Sequence, residues 1–106
     1  MMNLQGKIAI VTGGGQGLGA AICQSIAQVG STVIVGDIQL AAAEKIAQQI
    51  RETGGEAIAM PLDVYNADQV SDTVQKVLDQ YGAIDILINN AGTDKTVSIE
   101  ELEISD

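Results

Sequence analysis

Histidine, tryptophan and phenylalanine are absent from this chain, and cysteine and proline occur once each. Without histidine, the commonest general base near neutral pH and the commonest metal ligand are missing. With Cys23 as the only thiol, no zinc site is expected. A single cysteine cannot close an intramolecular disulfide, which fits a reducing compartment, and a cytoplasmic location is expected. Basic residues are few as well: 5 Lys and Arg stand against 14 Asp and Glu, a net charge of −9. Lys7, Lys45, Arg51, Lys76 and Lys95 are scattered and form no run. Nucleic acid and anionic lipid are therefore not expected as partners, since both favour a basic patch. No run of about 18 apolar residues occurs, so no membrane span is expected. Met1 to Gly6 is polar and lacks the apolar stretch of a signal peptide.

What remains is aliphatic. The 106 residues suffice for one compact domain, read as a single unit over residues 1–106. Its core has to come from Ile, Val, Leu, Ala and Met, which suits a parallel sheet covered on both faces by helices. Hydrophobic periodicity changes along the chain in a regular way. Lys7 to Thr12 is a β-branched run read as a buried strand. From Gly17 the spacing of Leu18, Ile22, Ile26 and Val29 predicts a helix, closed by Gly30. Ser31 to Asp37 reads as a second strand. Leu40, Ala43, Ile46, Ala47 and Ile50 stripe a second helix that ends at Gly54-Gly55.

Glu56 to Leu62 reads as a third strand. Pro61 cannot donate to a ladder, which places this strand at a sheet edge. Val70, Val74, Val77, Leu78 and Tyr81 stripe a third helix ended by Gly82. Asp85 to Asn89 reads as a fourth strand. The alternation predicts an α/β doubly wound parallel sheet of about four strands in the order 3-2-1-4, with helices on both faces. Ile84, Ile86, Leu87 and Ile88 are apolar on both faces of that fourth strand. An unpaired edge there is expected to drive self-association. Val97, Glu100, Glu101 and Leu102 read as the start of a fourth helix.

The segment Thr12-Gly13-Gly14-Gly15-Gln16-Gly17-Leu18-Gly19-Ala20 joins the first strand to the first helix. Alone, a glycine run is only a flexible turn. Its place here, with Asp37 ending the second strand, makes it a phosphate cradle. Gly13 suits a turn that needs positive φ, Gly17 suits close approach of the backbone to a pyrophosphate, and Gly19 suits tight packing of helix on strand. Unpaired amides and the positive end of the helix dipole then face the phosphates. No Gly-Lys-Ser/Thr follows, so the loop is not a nucleoside-triphosphate P-loop. A carboxylate at Asp37 accepts ribose hydroxyls and repels a 2′-phosphate, and Gln16 is neutral, so NAD is expected over NADP. Asp37 can also cap the second helix, and the two roles are compatible.

Thr12-Gly13-x-x-x-Gly17-x-Gly19 resembles the cofactor loop of the short-chain dehydrogenases/reductases. Asp63-Val64 resembles that family's adenine-contacting pair, and Asn89-Asn90-Ala91-Gly92 its second signature. The resemblance runs from about residue 4 to the end. It implies a Rossmann-type dinucleotide site in which Gly13, Gln16, Gly17, Leu18 and Gly19 hold the pyrophosphate. Asp37, with Ile38 beside it, would meet the adenosine ribose, and Asp63 and Val64 the adenine. Asn90, Ala91 and Gly92 would line the middle of the cofactor, while Asn89 ties the sheet.

The implied activity is hydride transfer between a secondary alcohol or ketone and NAD. The family's catalytic Ser and Tyr-x-x-x-Lys lie beyond its Asn-Asn-Ala-Gly motif, however. Four residues after Tyr65 stands Gln69, and four after Tyr81 stands Asp85. No catalytic residue is therefore assigned, the catalytic half is expected to be absent, and the chain by itself is expected to be inactive. Two other readings stand beside this one. The first is an inactive dinucleotide-binding or self-associating module. The second is a methyltransferase using S-adenosylmethionine, which would lack the Thr-Gly start and the Asn-Asn-Ala-Gly motif.

Overall fold

A computed structural model describes residues 3–91. Four strands and three helices alternate: β1 (Ile8–Thr12), α1 (Gly17–Gln28), β2 (Thr32–Asp37), α2 (Leu40–Glu52), β3 (Glu56–Pro61), α3 (Ala67–Tyr81) and β4 (Ile86–Asn89). All pairings are parallel, and the sheet order is β3-β2-β1-β4. Pro61 sits at the end of the edge strand β3, opposite Asp37, where its missing N–H breaks no ladder. The predicted strands run one residue too long at one end in each case. Lys7, Ser31, Leu62 and Asp85 flank the ladder instead of joining it. Asp85 still contributes to the sheet, because its N–H donates to the Ile8 carbonyl and its carboxylate accepts the Ile8 N–H, each at 2.8 Å. The proposed helix start at Val97 to Leu102 lies outside the described residues, as does Gly92.

Alternation along the strands divides the core into two clusters. Ala9, Val11, Val33, Val35 and Ala57 face α1 and α2, where they meet Cys23, Ala43, Ile46, Ala47 and Ile50. Ile8, Ile10 and Ile34 face the other way and pack with Val77, Leu62 and Ile84 under α3. The strand residues under α1 and α2 are Ala and Val, and those under α3 are Ile. Burial of Ile46 and Ile50 contributes about 1.5–3 kcal/mol each. Ile86 and Ile88 join the first cluster and Leu87 the second, so β4 is apolar on both faces although it pairs only with β1 among the described residues.

Helix ends follow the glycines. Gly82 closes α3 in the left-handed conformation at φ +84° and returns its N–H to the Leu78 carbonyl at 2.8 Å. Gly30, at φ +108°, reverses the chain from α1 into β2. This parallel arrangement brings the carboxyl ends of β1, β2, β3 and β4 to one edge of the sheet, and every segment singled out as a binding element leaves from that edge.

Candidate functional site

The crossover from β1 to α1 is built as the glycine pattern requires. Gly13 takes φ +66° and Gly17 φ +55°, both in the region that side chains avoid. A Cβ on Gly19 would lie 2.0 Å from the Gly13 carbonyl oxygen, so only glycine lets α1 start this close to the end of β1. A Cβ on Gly17 would meet nothing within 4 Å, so the loop is open on that side. Gln16, Gly17 and Leu18 are all exposed there.

The start of α1 is electrostatically open too. Its N-cap residue Gln16 makes no side-chain capping bond, and no acidic residue stands in the first turn. First-turn amides have no intrahelical acceptor, so their N–H groups and the helix dipole point outward together. Not every amide between Thr12 and Ala20 is unpaired and free to face an anion. Gly14 donates instead to the Gly36 carbonyl and Gly15 to the Asp37 carboxylate, each at 2.9 Å. Ala20 donates to Gln16 within the helix. The outward amides are those of the first turn.

Gly14 and Gly15 also matter sterically, a role that the spacing x-x-x concealed. A Cβ on Gly14 would sit 2.9 Å from Cys23 Sγ, and one on Gly15 would sit 2.8 Å from Ala42 Cβ. The three consecutive glycines were the available signal. Cys23 is fully buried beneath this loop, with its thiol 3.9 Å from the Gly14 carbonyl. Burial first, and the Asp37 charge second, push its pKa up to about 12. It is a core residue and not a reactive thiol.

Asp37 ends β2 and is only 6 % exposed. Its Oδ2 accepts the Gly15 N–H and its Oδ1 accepts the Gln39 N–H, each at 2.9 Å. The carboxylate does not cap α2, whose N-cap is Gln39 without a side-chain capping bond; it holds the turn that leads into the helix and reaches across to the glycine loop, which was not expected. Ile38 beside it is 66 % exposed. Asp63 and Val64 follow β3 half-buried at the same edge. The Asp63 carboxylate accepts the Tyr65 N–H at 3.0 Å, and its carbonyl accepts the Asn66 N–H at 3.0 Å. Leu18, Ile38, Leu40 and Tyr65 are the large hydrophobic residues left exposed among the described residues, and all four lie at this edge.

The Asn-Asn-Ala segment is latched to the glycine loop by one hydroxyl. Thr12 Oγ1 accepts the N–H of Asn90 at 2.9 Å and of Ala91 at 3.0 Å, and donates to Asn89 Oδ1 at 3.1 Å. Asn90 Nδ2 donates to the Gly13 carbonyl at 3.3 Å. Thr12 was legible as part of a motif, but its role as the hub was not, because its partners lie 77 to 79 positions away. Asn89 ties the sheet, as expected. Tyr65 and Tyr81 stand apart from any Tyr-x-x-x-Lys arrangement, and among the described residues no group of three or more His, Cys, Asp or Glu could hold a metal. No described helix is long and apolar enough to cross a membrane.

A separate cleft lies at the opposite end of the sheet, between the carboxyl ends of α1 and α2, and Gln24, Gln49 and Thr53 line it. None of the candidate cofactor-binding residues lines it.

Known proteins match this arrangement. The family model for the short chain dehydrogenases matches residues 7–106. An uncharacterized oxidoreductase of Bacillus subtilis (strain 168), YxjF, is 44% identical over 90% of this chain; the matched region is 37% of that protein. A solved structure of 7α-hydroxysteroid dehydrogenase complexed with NADH and 7-oxo glycochenodeoxycholic acid superposes with a TM-score of 0.83 at 37% identity. It covers 86% of this chain and 36% of that one. A metagenomic short-chain oxidoreductase in complex with NADP superposes with a TM-score of 0.82 at 32% identity, over 85% of this chain and 41% of the other. The chain thus spans well under half the length of these relatives.

Proposed function

This chain belongs to the short chain dehydrogenase family, and from that premise we propose that its carboxyl-edge loops bind the adenosine diphosphate part of NAD. One observation carries the reading: the start of α1 is uncapped, free of acid, and approached through glycines that leave the space beside Gly17 open. A diphosphate supplies what that helix end lacks. Gly13 and Gly19 bring the backbone close, while Gln16, Gly17 and Leu18 present outward amides.

Asp37 keeps lone pairs for ribose hydroxyls beyond the two it gives to Gly15 and Gln39. Its charge disfavours a 2′-phosphate, which supports NAD over NADP. The exposed Ile38 side and the half-buried Asp63-Val64 pair offer the adenine an apolar wall and polar partners. Asn90 and Ala91, fixed by Thr12, extend the groove toward the middle of the cofactor. Gly92 belongs to the same proposed set.

When bound, nicotinamide accepts or gives a hydride. The residues in hand bind and orient the adenosine end. No described residue holds a proton for the reaction, so the chain by itself is proposed to bind without catalysing. The oxidoreductase it is proposed to serve interconverts a secondary alcohol and a ketone by hydride transfer. Calorimetric titration with NAD, ADP-ribose, NADP and S-adenosylmethionine tests this. ADP-ribose and NAD are expected to bind alike, NADP more weakly and S-adenosylmethionine not at all. Binding of S-adenosylmethionine in place of the dinucleotides would refute the proposal.

The outer edge of β4 supports a second property. Its backbone pairs with β1 alone among the described residues, and its side chains are apolar on both faces. Self-association by pairing with the β4 of a second copy is the proposed outcome. Equilibrium sedimentation that shows only monomer at tens of micromolar would rule it out.

A further inference from the structure

We propose that Asp37 is a positioning residue for the phosphate loop, so that recognition of the ribose and grip on the diphosphate are one coupled element. The inference rests on the dinucleotide reading above and adds a mechanism to it. A carboxylate acting only as a hook for ribose hydroxyls would stand clear of the backbone. Asp37 does not: Oδ2 holds the buried Gly15 N–H and Oδ1 holds the Gln39 N–H. One residue upstream, Gly14 N–H is fixed to the Gly36 carbonyl. Two consecutive loop amides are thus tied to the end of β2. On the far side α2 forms a wall, since a Cβ on Gly15 would lie within 2.9 Å of Ala42 carbon atoms.

The next residues inherit this anchoring. Gln16 is extended at φ −151° and ψ 158°, and Gly17 turns at φ +55° into the helix. Those torsions set the direction of the first-turn N–H groups. Removal of the Asp37 oxygen leaves a buried donor at Gly15 without an acceptor. The loop then has to rotate to find one, and the amides proposed to meet the diphosphate lose their preset direction. Coupling of this kind is reciprocal: what binds at the carboxylate is felt at the loop, and the reverse.

The test separates the two roles with a nucleotide that has no ribose hydroxyls. The unmodified chain, Asp37→Ala and Asp37→Asn are titrated with ADP and with 2′,3′-dideoxy-ADP. If Asp37 positions the loop, Asp37→Ala weakens dideoxy-ADP binding by about fivefold or more, although that ligand offers the carboxylate nothing to bind. Asp37→Asn, which retains one acceptor oxygen, recovers part of the loss. Thr53→Ala, a destabilised control at the far end of α2 that removes the hydroxyl's bond to the Ile50 carbonyl, leaves both affinities unchanged. If dideoxy-ADP binds both Asp37 variants as tightly as the parent while ADP binding falls, Asp37 is only a hydroxyl acceptor and the inference is overturned.

Should Asp37→Ala not fold, the unmodified chain decides the matter. Saturating adenosine, which has ribose and no phosphate, is expected to shift the amide resonances of Gly15, Gly17 and Leu18. Shifts confined to Ile38 and the β3 end would overturn the coupling. Failure of the parent chain to bind ADP would remove the dinucleotide reading itself, and this inference with it.

Discussion

Helices α1 and α3 begin at the same edge of the same sheet, each after a parallel strand, and their first turns are built in opposite ways. At α3 the chain satisfies itself. Asn66 caps the helix by accepting the Gln69 N–H at 3.1 Å, Gln69 reaches back to the Asp63 N–H, and Asp68 places a negative charge in the first turn. At α1 there is no side-chain cap, no first-turn acid, and glycine where α3 has Gln69. A side-chain cap contributes about 1 kcal/mol and a well-placed acid about 0.3–1 kcal/mol. The start of α1 forgoes both. An end that the fold leaves open in this way is where an external anion has most to offer, and that contrast underlies the proposed function.

The largest expected effect comes from forcing a side chain into the open end. Gly19→Ala places a methyl 2.0 Å from the Gly13 carbonyl. It is expected to cost about 3 kcal/mol or more in denaturant unfolding and to abolish nucleotide binding. The third position of α3 is the counterpart, and Gln69→Ala there should cost far less. A mild effect of Gly19→Ala would show that α1 is not held against β1 as described.

Next comes the floor of the same end. The Cys23 thiol is raised from its ordinary value of 9.0 to about 12 in the folded chain, mainly by burial. The folded state therefore keeps a proton that the unfolded state has already released. Stability is complete below pH 9 and falls by about 1.4 kcal/mol per unit as pH rises from there toward 12. The raised Tyr81 hydroxyl, desolvated and facing the Glu56 charge, acts in the same direction at higher pH. Denaturation against pH, repeated with Cys23→Ala, isolates the thiol: the variant is expected to lose the slope that begins near pH 9.

Swapping the charge pattern sharpens the comparison directly. Leu18→Glu gives the first turn of α1 the acid that α3 already has. Stability is expected to rise by about 0.3–1 kcal/mol, while affinity for ADP falls about tenfold. A gain in both would argue against an anion site. The smallest effect is expected at α3. Asn66→Ala should cost about 1 kcal/mol of stability and lower ADP affinity far less than Leu18→Glu in the same calorimetric assay.

The order of elements, the sheet order and the position of Pro61 at an edge were all legible, because period-2 and period-3.6 patterns and glycine stops are local signals. The positive φ at Gly13 and the intolerance at Gly19 were legible for the same reason: strand, turn and helix adjoin in the chain. Which amides face outward was not legible. Gly14 and Gly15 stand in the same glycine run, yet their N–H groups turn to Gly36 and Asp37, residues 22 positions away. The Thr12 hub was hidden likewise, since Asn90 and Ala91 reach it only after β4 docks beside β1.

Sequence alone determined that strands and helices alternate, that the core is aliphatic, and that a glycine crossover precedes an acid-ended strand. These follow from side-chain chemistry read over a few neighbouring residues. The tertiary structure alone decided that Asp37 grips the glycine loop and that one threonine hydroxyl joins two distant loops. Both depend on strand register, which brings remote groups within about 3 Å of each other, and no local pattern encodes that distance.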